Sequence, residues 1–122
     1  MARPIPMAGW LVLKPKRHVE SVASLTLAEA RTLGPLIART AAALQRATGA
    51  RKVYVGLFAE AKAFPHIHIH LIPRPRRLAA RLRGPLIFAL MRTDKDRAPL
   101  ADAVRIAERT RRSLGASRSK DR

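Results

Sequence analysis

The sequence predicts a single domain of the α+β class, in which an antiparallel sheet is combined with one long helix between strands and a second helix near the C-terminus. Three observations support this prediction. Residues 66–72 alternate histidine with apolar residues, which is the two-residue period of a strand. A helix-start signal at Thr26 is followed by apolar residues at helical spacing. The β-rich segment 52–58 lies shortly before the alternating one, so the two would pair as a hairpin.

The first predicted strand covers residues 10–14 and ends at Pro15, which has no N–H group to give to a sheet. A turn from Lys14 to Val19 follows this strand and would present His18. Residues 20–25 then form a linker that leads to the long helix.

The long helix is predicted to begin at Thr26, because Thr26 and Glu29 form the T-x-x-E pattern of a capping box. Its buried face would consist of the residues that recur at helical spacing, namely Leu33, Leu36, Ile37, Thr40 and Leu44. Gly49 is expected to end it. The pair Gly34-Pro35 is expected to interrupt and kink it, since proline removes one hydrogen bond and clashes with the preceding turn.

The second half of the chain is predicted to continue from the hairpin, whose loop is 59–65, into an irregular stretch and a helix. Pro73 would end the histidine-containing strand, and 73–85 would be an irregular basic segment. The apolar residues 84–91 are expected to pack back onto the sheet. Pro99 suits the first turn of the last helix. The apolar face of that helix would consist of Leu100, Ala103, Val104, Ala107 and Leu114.

The composition indicates one folded domain. A chain of 122 residues, 48% of them hydrophobic, can bury a core and is not a disordered chain. We expect residues 1–115 to form this domain and residues 116–122 to form a flexible basic tail. The absence of cysteine excludes disulfides and thiol catalysis and is compatible with a reducing compartment. With no signal peptide or membrane-spanning segment recognised, a cytoplasmic location without membrane association is predicted.

The formal net charge of +17 has two interpretations. A basic surface attracts nucleotides, polyphosphates, RNA and anionic membranes alike, so non-specific contact with anions or RNA is one of them. An arginine- and alanine-rich composition without a role in function is the other. The single Trp and single Tyr provide no aromatic platform of the kind that stacks RNA bases.

The alternating segment places three histidines together. On a strand, His66, His68 and His70 would share one face, with neighbouring rings roughly 7 Å apart, while the isoleucines between them would face the other way. Such a face could hold a phosphate group or a metal ion, or could be a packed surface alone. No metal site and no cofactor are predicted, because the chain lacks cysteine and the motif lacks an acidic residue.

Phosphate chemistry is the leading hypothesis for the three histidines. A neutral imidazole is nucleophilic near pH 7 and can attack phosphorus while neighbouring rings donate hydrogen bonds. The product would be a covalent phosphoramidate that water hydrolyses in a second step.

The pattern His-φ-His-φ-His-φ-φ, where φ is apolar, is complete in residues 66–72 and resembles the signature of the histidine triad (HIT) superfamily of nucleotide hydrolases and transferases. A second segment, residues 11–19, is similar to the family's strand that ends in a Pro-basic-basic-His-Val turn. The resemblance covers about residues 8–75 and implies a HIT-like antiparallel sheet. The Pro-His start of the motif is similar to a divergent bacterial branch of hydrolases.

The resemblance also implies roles for all four histidines. His68 would be the nucleophile that becomes nucleotidylated at the α-phosphate, and His70 would contact phosphate oxygens and assist the leaving group. His66 would hold the hydrogen-bond network of the triad, and His18 would approach from the other strand. The implied enzyme is a homodimeric hydrolase of nucleoside phosphoramidates or dinucleoside polyphosphates that releases a nucleoside monophosphate.

The loop before the triad departs from the family pattern. Residues 57–65 contain no Asn, Gln, Ser or Gly, which bind phosphate oxygens in many family members. Lys62 is the obvious donor in this loop, and with Lys14 and Arg74 it completes the predicted substrate-binding residues. The departure keeps a second hypothesis open, namely a catalytically weak or inactive HIT-like protein that binds nucleotides or RNA.

Overall fold

The computed structural model describes residues 7–60, 62–63, 65–92 and 99–120. Its strands are β1 (Leu11–Leu13), β2 (Val53–Gly56) and β3 (Ile69–Pro73), and its α-helices are α1 (Leu27–Thr48) and α2 (Leu100–Lys120). Short 3-10 segments cover Val22–Ser24, Ala80–Leu82 and Gly84–Arg92. The prediction of an α+β fold with a long helix between strands and a C-terminal helix is confirmed.

The described strands form an antiparallel sheet with β3 in its centre and the order β1-β3-β2. The predicted hairpin between β2 and the triad strand is therefore present. The strand itself is shorter than predicted, because it begins at Ile69 and leaves His66 and His68 ahead of it. The backbone between His66 and His68 pairs instead with the turn after β1, where the N–H of Ile67 donates to the carbonyl of Val19 at 2.7 Å, outside the described strand ladder.

Helix α1 begins and ends where the sequence predicts. Thr26 and Glu29 form the reciprocal hydrogen bonds of a capping box, and Gly49 takes the left-handed conformation (φ 73°) that ends the helix. The predicted interruption at Gly34-Pro35 is wrong, because the helix is continuous through both residues. Proline removes only one intrahelical hydrogen bond, and packing of the buried face stabilises the turns on either side.

The hydrophobic core lies on both faces of the sheet. The helix-side cluster is built on Leu44, Ile69 and Leu71, and the residues packed against it include Leu33, Ile37 and Ile106. The histidine-side cluster is built on Trp10, Ile72 and Ile87, against which Tyr54 and Phe88 pack. Because Ile87 is fully buried there, the prediction that residues 84–91 pack onto the sheet is confirmed.

Helix α2 packs against α1 with a face that only partly matches the predicted one. Leu100 and Val104, assigned to the buried face from the sequence, are 75% and 47% exposed. The buried positions are Ala103, which was predicted, and Thr110, which was not, and Ile106 between them reaches the helix-side cluster. A polar residue fits this face because the Thr110 hydroxyl donates to the carbonyl of Ile106 at 2.8 Å.

The helix continues to Lys120, past the position where the flexible tail is predicted to begin. The flexibility of residues 116–122 stays a prediction, and residues 121–122 lie outside the described residues. None of the helices described here is long and apolar enough to cross a membrane.

Candidate active site

The four histidines come from two neighbouring parts of the sheet. His70 lies in the central strand β3, where Val12 of β1 and Gly56 of β2 are its partners. His66 and His68 lie in the segment just before β3, and His18 lies in the turn after β1. The antiparallel pairing of β1 with β3 brings that turn beside the start of the triad.

His66 connects the triad segment to the turn that carries His18. Its Nδ1 accepts a hydrogen bond from the N–H of Val19 at 3.0 Å, and its Nε2 lies 3.1 Å from the carbonyl oxygen of Pro15. Because a carbonyl only accepts, the ring must be neutral with its proton on Nε2. Both ring nitrogens are therefore engaged by the protein.

His18 stacks on His66, with ring centroids 5.2 Å apart and an interplanar angle of 19°. Its side chain is 69% exposed, and its Nε2 lies 3.5 Å from a carboxylate oxygen of Glu20. The structure therefore brings His18 to the first member of the triad, at the solvent-exposed edge of the site.

The ring of His68 makes a hydrogen bond through one of its two nitrogens. Its Nδ1 lies 3.0 Å from the carbonyl oxygen of His66, so Nδ1 carries the proton of the neutral ring and Nε2 carries the lone pair. Within the described residues Nε2 has no hydrogen-bond partner. The backbone of the triad segment thus fixes the tautomer of the neutral His68 ring.

His70 is buried, with 5% of its surface exposed, and the indole N–H of Trp10 donates to its Nδ1 at 2.9 Å. Its neutral form therefore carries the proton on Nε2, the reverse of His68. Burial, and to a lesser extent the charge of His68, lower the pKa of His70 from 6.5 to about 4. His70 is thus a neutral hydrogen-bond donor at pH 7.

The rings of His68 and His70 are closer than a regular strand would place them. Their centroids are 4.9 Å apart at an interplanar angle of 74°, compared with the roughly 7 Å expected for alternate residues of a strand. The ring of Phe88 also packs edge-to-face against His70, with centroids 5.1 Å apart and an interplanar angle of 87°. The small Gly56 allows this approach, because a Cβ there would lie 3.1 Å from Cζ of Phe88.

Comparison with protein families gives a match to the HIT domain over residues 4–77, more than half of the chain. The chain belongs to the HIT-domain family. Members of this family are in general nucleotide hydrolases or transferases, so this HIT domain has a nucleotide-related function. A comparison with curated proteins gave no significant match.

Solved structures similar to this HIT domain come from two bacteria. A Hit-like protein involved in cell-cycle regulation from Bartonella henselae, crystallised with an unknown ligand, has a TM-score of 0.67 and 18% identity, covering 93% of this chain and 76% of its own. A histidine triad (HIT) protein from Sinorhizobium meliloti has a TM-score of 0.65 and 28% identity, covering 82% of this chain and 73% of its own. At these identities the likeness supports the HIT fold.

The predicted substrate-binding residues of the HIT domain lie in three separate places. Lys14 borders a cavity of about 590 Å³ between α1 and the helix-facing side of the sheet, whose wall includes Ile67 and Ile69. Lys62 is exposed in the loop before the triad. Arg74 follows β3 and lines another cavity, of about 350 Å³, with Arg105 and Arg109 of α2 among others. Arg74 therefore lies at the opposite end of β3 from His66.

Two site residues were missed from the sequence. Trp10 and Phe88 both contact His70, yet neither stands near it in the chain. A usable signal existed for Trp10, because a buried indole usually finds a partner for its N–H. Among the described side chains, no group of three or more His, Cys, Asp or Glu is arranged to hold a metal ion.

Proposed function

We propose that this HIT domain is a nucleotidyl hydrolase that cleaves at the α-phosphate through a covalent nucleotidyl-His68 intermediate. The observation that carries the proposal is the opposite protonation of two adjacent rings. The lone pair of His68 is on Nε2 because the carbonyl of His66 holds Nδ1–H, whereas the proton of neutral His70 is on Nε2. His68 can therefore attack phosphorus while His70 donates a hydrogen bond to the same phosphate. The centroids of the two rings are 4.9 Å apart.

In the first step, the lone pair of His68 Nε2 forms a bond to the α-phosphorus, and the bond between that phosphorus and the leaving group breaks. The His68 ring becomes positively charged, and its Nδ1–H remains on the His66 carbonyl, whose dipole stabilises that charge. The leaving group departs with the bonding electrons and takes its proton from solvent.

His70 serves in this mechanism as a donor and not as an acid. Transferring its Nε2 proton outright would leave an imidazolate, which its buried environment disfavours. Its hydrogen bond stabilises the charge on a phosphate oxygen in the transition state. In the second step, water attacks the phosphorus and gives up a proton to solvent, the bond to Nε2 breaks, and a nucleoside monophosphate is released as neutral His68 is restored.

His66 and His18 have supporting roles in the proposal. His66 uses both ring nitrogens to fix the turn and the triad segment, which places its own carbonyl for His68. His18, stacked on that ring and exposed, stands where the phosphate of an incoming nucleotide would approach.

The substrates in this proposal are nucleoside phosphoramidates or dinucleoside polyphosphates, and the protein is a cytoplasmic homodimer. The formal charge of +17 attracts such anions. Lys14 and Lys62 are the proposed contacts to distal phosphates. Arg74 at the far end of β3 would meet only a substrate long enough to extend along the strand.

Turnover with each substrate class tests the proposal. We expect the wild-type protein to release nucleoside monophosphate from an adenosine phosphoramidate or a diadenosine polyphosphate. His68→Ala should lose activity by at least about a thousandfold, because no other group supplies the nucleophile. Circular dichroism and thermal unfolding of the variant provide the folding control.

One observation favours a second candidate, a nucleotide-binding domain with little chemistry. The loop 57–65 lacks the amide and hydroxyl donors that would stabilise a departing group. In that case nucleotide monophosphates would bind to wild type with measurable affinity by calorimetry, while neither substrate class would turn over.

A further inference from the structure

We infer that Trp10 is a positioning residue for His70: its indole N–H holds His70 in the tautomer that presents a proton on Nε2. The inference rests on the proposed function for its effect on catalysis, but its structural part stands on its own. The donor and acceptor are 60 residues apart in sequence and form a buried side-chain hydrogen bond of 2.9 Å.

The indole fixes the tautomer because it can only donate. An indole N–H directed at Nδ1 requires a lone pair there, which excludes both the Nδ1–H tautomer and the protonated ring. A hydroxyl or a water molecule at this place would impose no such choice, since each can donate or accept. Trp10 therefore selects one of the three protonation forms of His70.

The main chain around Trp10 holds the indole in place. Gly9 has φ +88°, and a Cβ there would lie 2.9 Å from Cγ of Pro73, so the chain turns tightly against the end of β3. The N–H of Trp10 then donates to the carbonyl of Met7 at 3.1 Å. This turn directs the side chain onto the histidine face of the sheet.

Packing prevents the indole from leaving His70. Trp10 is buried in one cluster with Ile72 and Ile87, and its ring meets Phe88 edge-to-face at a centroid distance of 5.5 Å. The imidazole and indole planes are almost perpendicular, at 88°. An indole fixed by this many neighbours holds the His70 ring in orientation as well as in tautomer.

The result is a pair of complementary rings. The backbone carbonyl of His66 sets His68 as a free base at Nε2, and Trp10 sets His70 as a free donor at Nε2. Among the described groups packed against His70, the titratable one is His68, since Trp10, Phe88, Val12 and Gly56 carry no charge. The tautomer of His70 is thus set by the hydrogen bond from Trp10 and not by a charged neighbour.

Nitrogen-15 NMR tests the structural part without any substrate. In wild type, long-range ¹H–¹⁵N spectra should show His70 with an unprotonated Nδ1, together with a scalar coupling between this nitrogen and the indole Nε1. The indole signal is unambiguous because the chain has a single tryptophan. A protonated Nδ1 in wild type, or the absence of the coupling at pH 7, would overturn the inference.

Trp10→Phe removes the N–H while retaining an aromatic ring. We expect a substantial Nδ1–H population of His70 in this variant, and protonation of the ring at higher pH than in wild type. Phe88→Leu is the matched control, since it removes another aromatic neighbour of His70 but leaves the indole bond, and it should retain the wild-type tautomer. An unchanged tautomer in a folded Trp10→Phe protein would refute the inference.

Kinetics then connect the tautomer to turnover. Trp10→Phe should lower kcat by about tenfold to a hundredfold with a much smaller change in KM, because it disturbs a group needed in the transition state. The acid limb of its pH–rate profile should move to higher pH. If kcat and the profile are unchanged although the tautomer is lost, the positioning role is wrong. If wild type turns over no substrate, the proposed function fails while the NMR result still decides what Trp10 does to His70.

Discussion

Replacing His66 by alanine removes two hydrogen bonds that connect the triad segment to the turn after β1. The N–H of Val19 loses its acceptor at Nδ1, and the carbonyl of Pro15 loses its donor at Nε2. Val19 is only 3% exposed, so its N–H cannot readily turn to water. An unsatisfied buried donor costs about 1–3 kcal/mol, and the partly buried carbonyl adds about 1 kcal/mol.

We therefore expect His66→Ala to lower the free energy of unfolding by about 2–4 kcal/mol, measured by urea denaturation. For a chain of this length the same loss corresponds to a fall in Tm of roughly 6–20 °C. His18→Ala is the matched control, because His18 stacks on the same ring but is exposed, and it should change stability by less than about 0.5 kcal/mol. Equal effects of the two substitutions would refute the role of His66 as the connecting residue.

Three further predictions concern local features. Gly9→Ala should destabilise the fold by about 1–3 kcal/mol in urea, because of φ +88° and the contact with Pro73, whereas Gly115→Ala in α2, with open space around it, should not. Thr26→Ala should cost about 1 kcal/mol by loss of the capping box, against a smaller effect of Thr32→Ala inside the helix. The pKa of His70 is lowered from 6.5 in the unfolded chain to about 4 in the folded protein. Between these two pH values the unfolded chain therefore binds a proton at His70 that the folded protein does not. Stability should therefore be full above pH 6.5 and decrease as the pH falls towards 4, a dependence that His70→Asn should reduce.

Local sequence signals predicted the parts of the fold that depend on local chemistry. The capping box at Thr26 and the left-handed Gly49 each act within one helical turn, so the bounds of α1 could be read from the chain. The alternation of residues 66–72 likewise predicted the strand that contains His70, whereas the role of His68 as nucleophile came only from the resemblance to the HIT family. What the alternation could not show is that the strand begins only at Ile69, because this depends on the hydrogen bond from Ile67 to Val19.

Features that depend on tertiary packing were not predictable in the same way. The buried face of α2 is set by its contact with α1, which selects Ala103 and Thr110 over the more apolar Leu100. The contact between Trp10 and His70 joins residues from opposite halves of the chain, and no spacing rule relates them. The same holds for the surroundings of Arg74, since the cavity that it lines together with Arg105 and Arg109 of α2 joins residues far apart in the chain.

The central claim is that His68 forms a covalent nucleotidyl intermediate. The most direct test is intact-mass spectrometry of the protein stopped within a single turnover, followed by mapping of the modified peptide, with His68→Ala treated in parallel. The proposed mechanism predicts an acid-labile adduct with the mass of one nucleotidyl group on His68 of the wild type and no adduct in the variant. Substrate turnover without any adduct, or an adduct on another histidine, would contradict it.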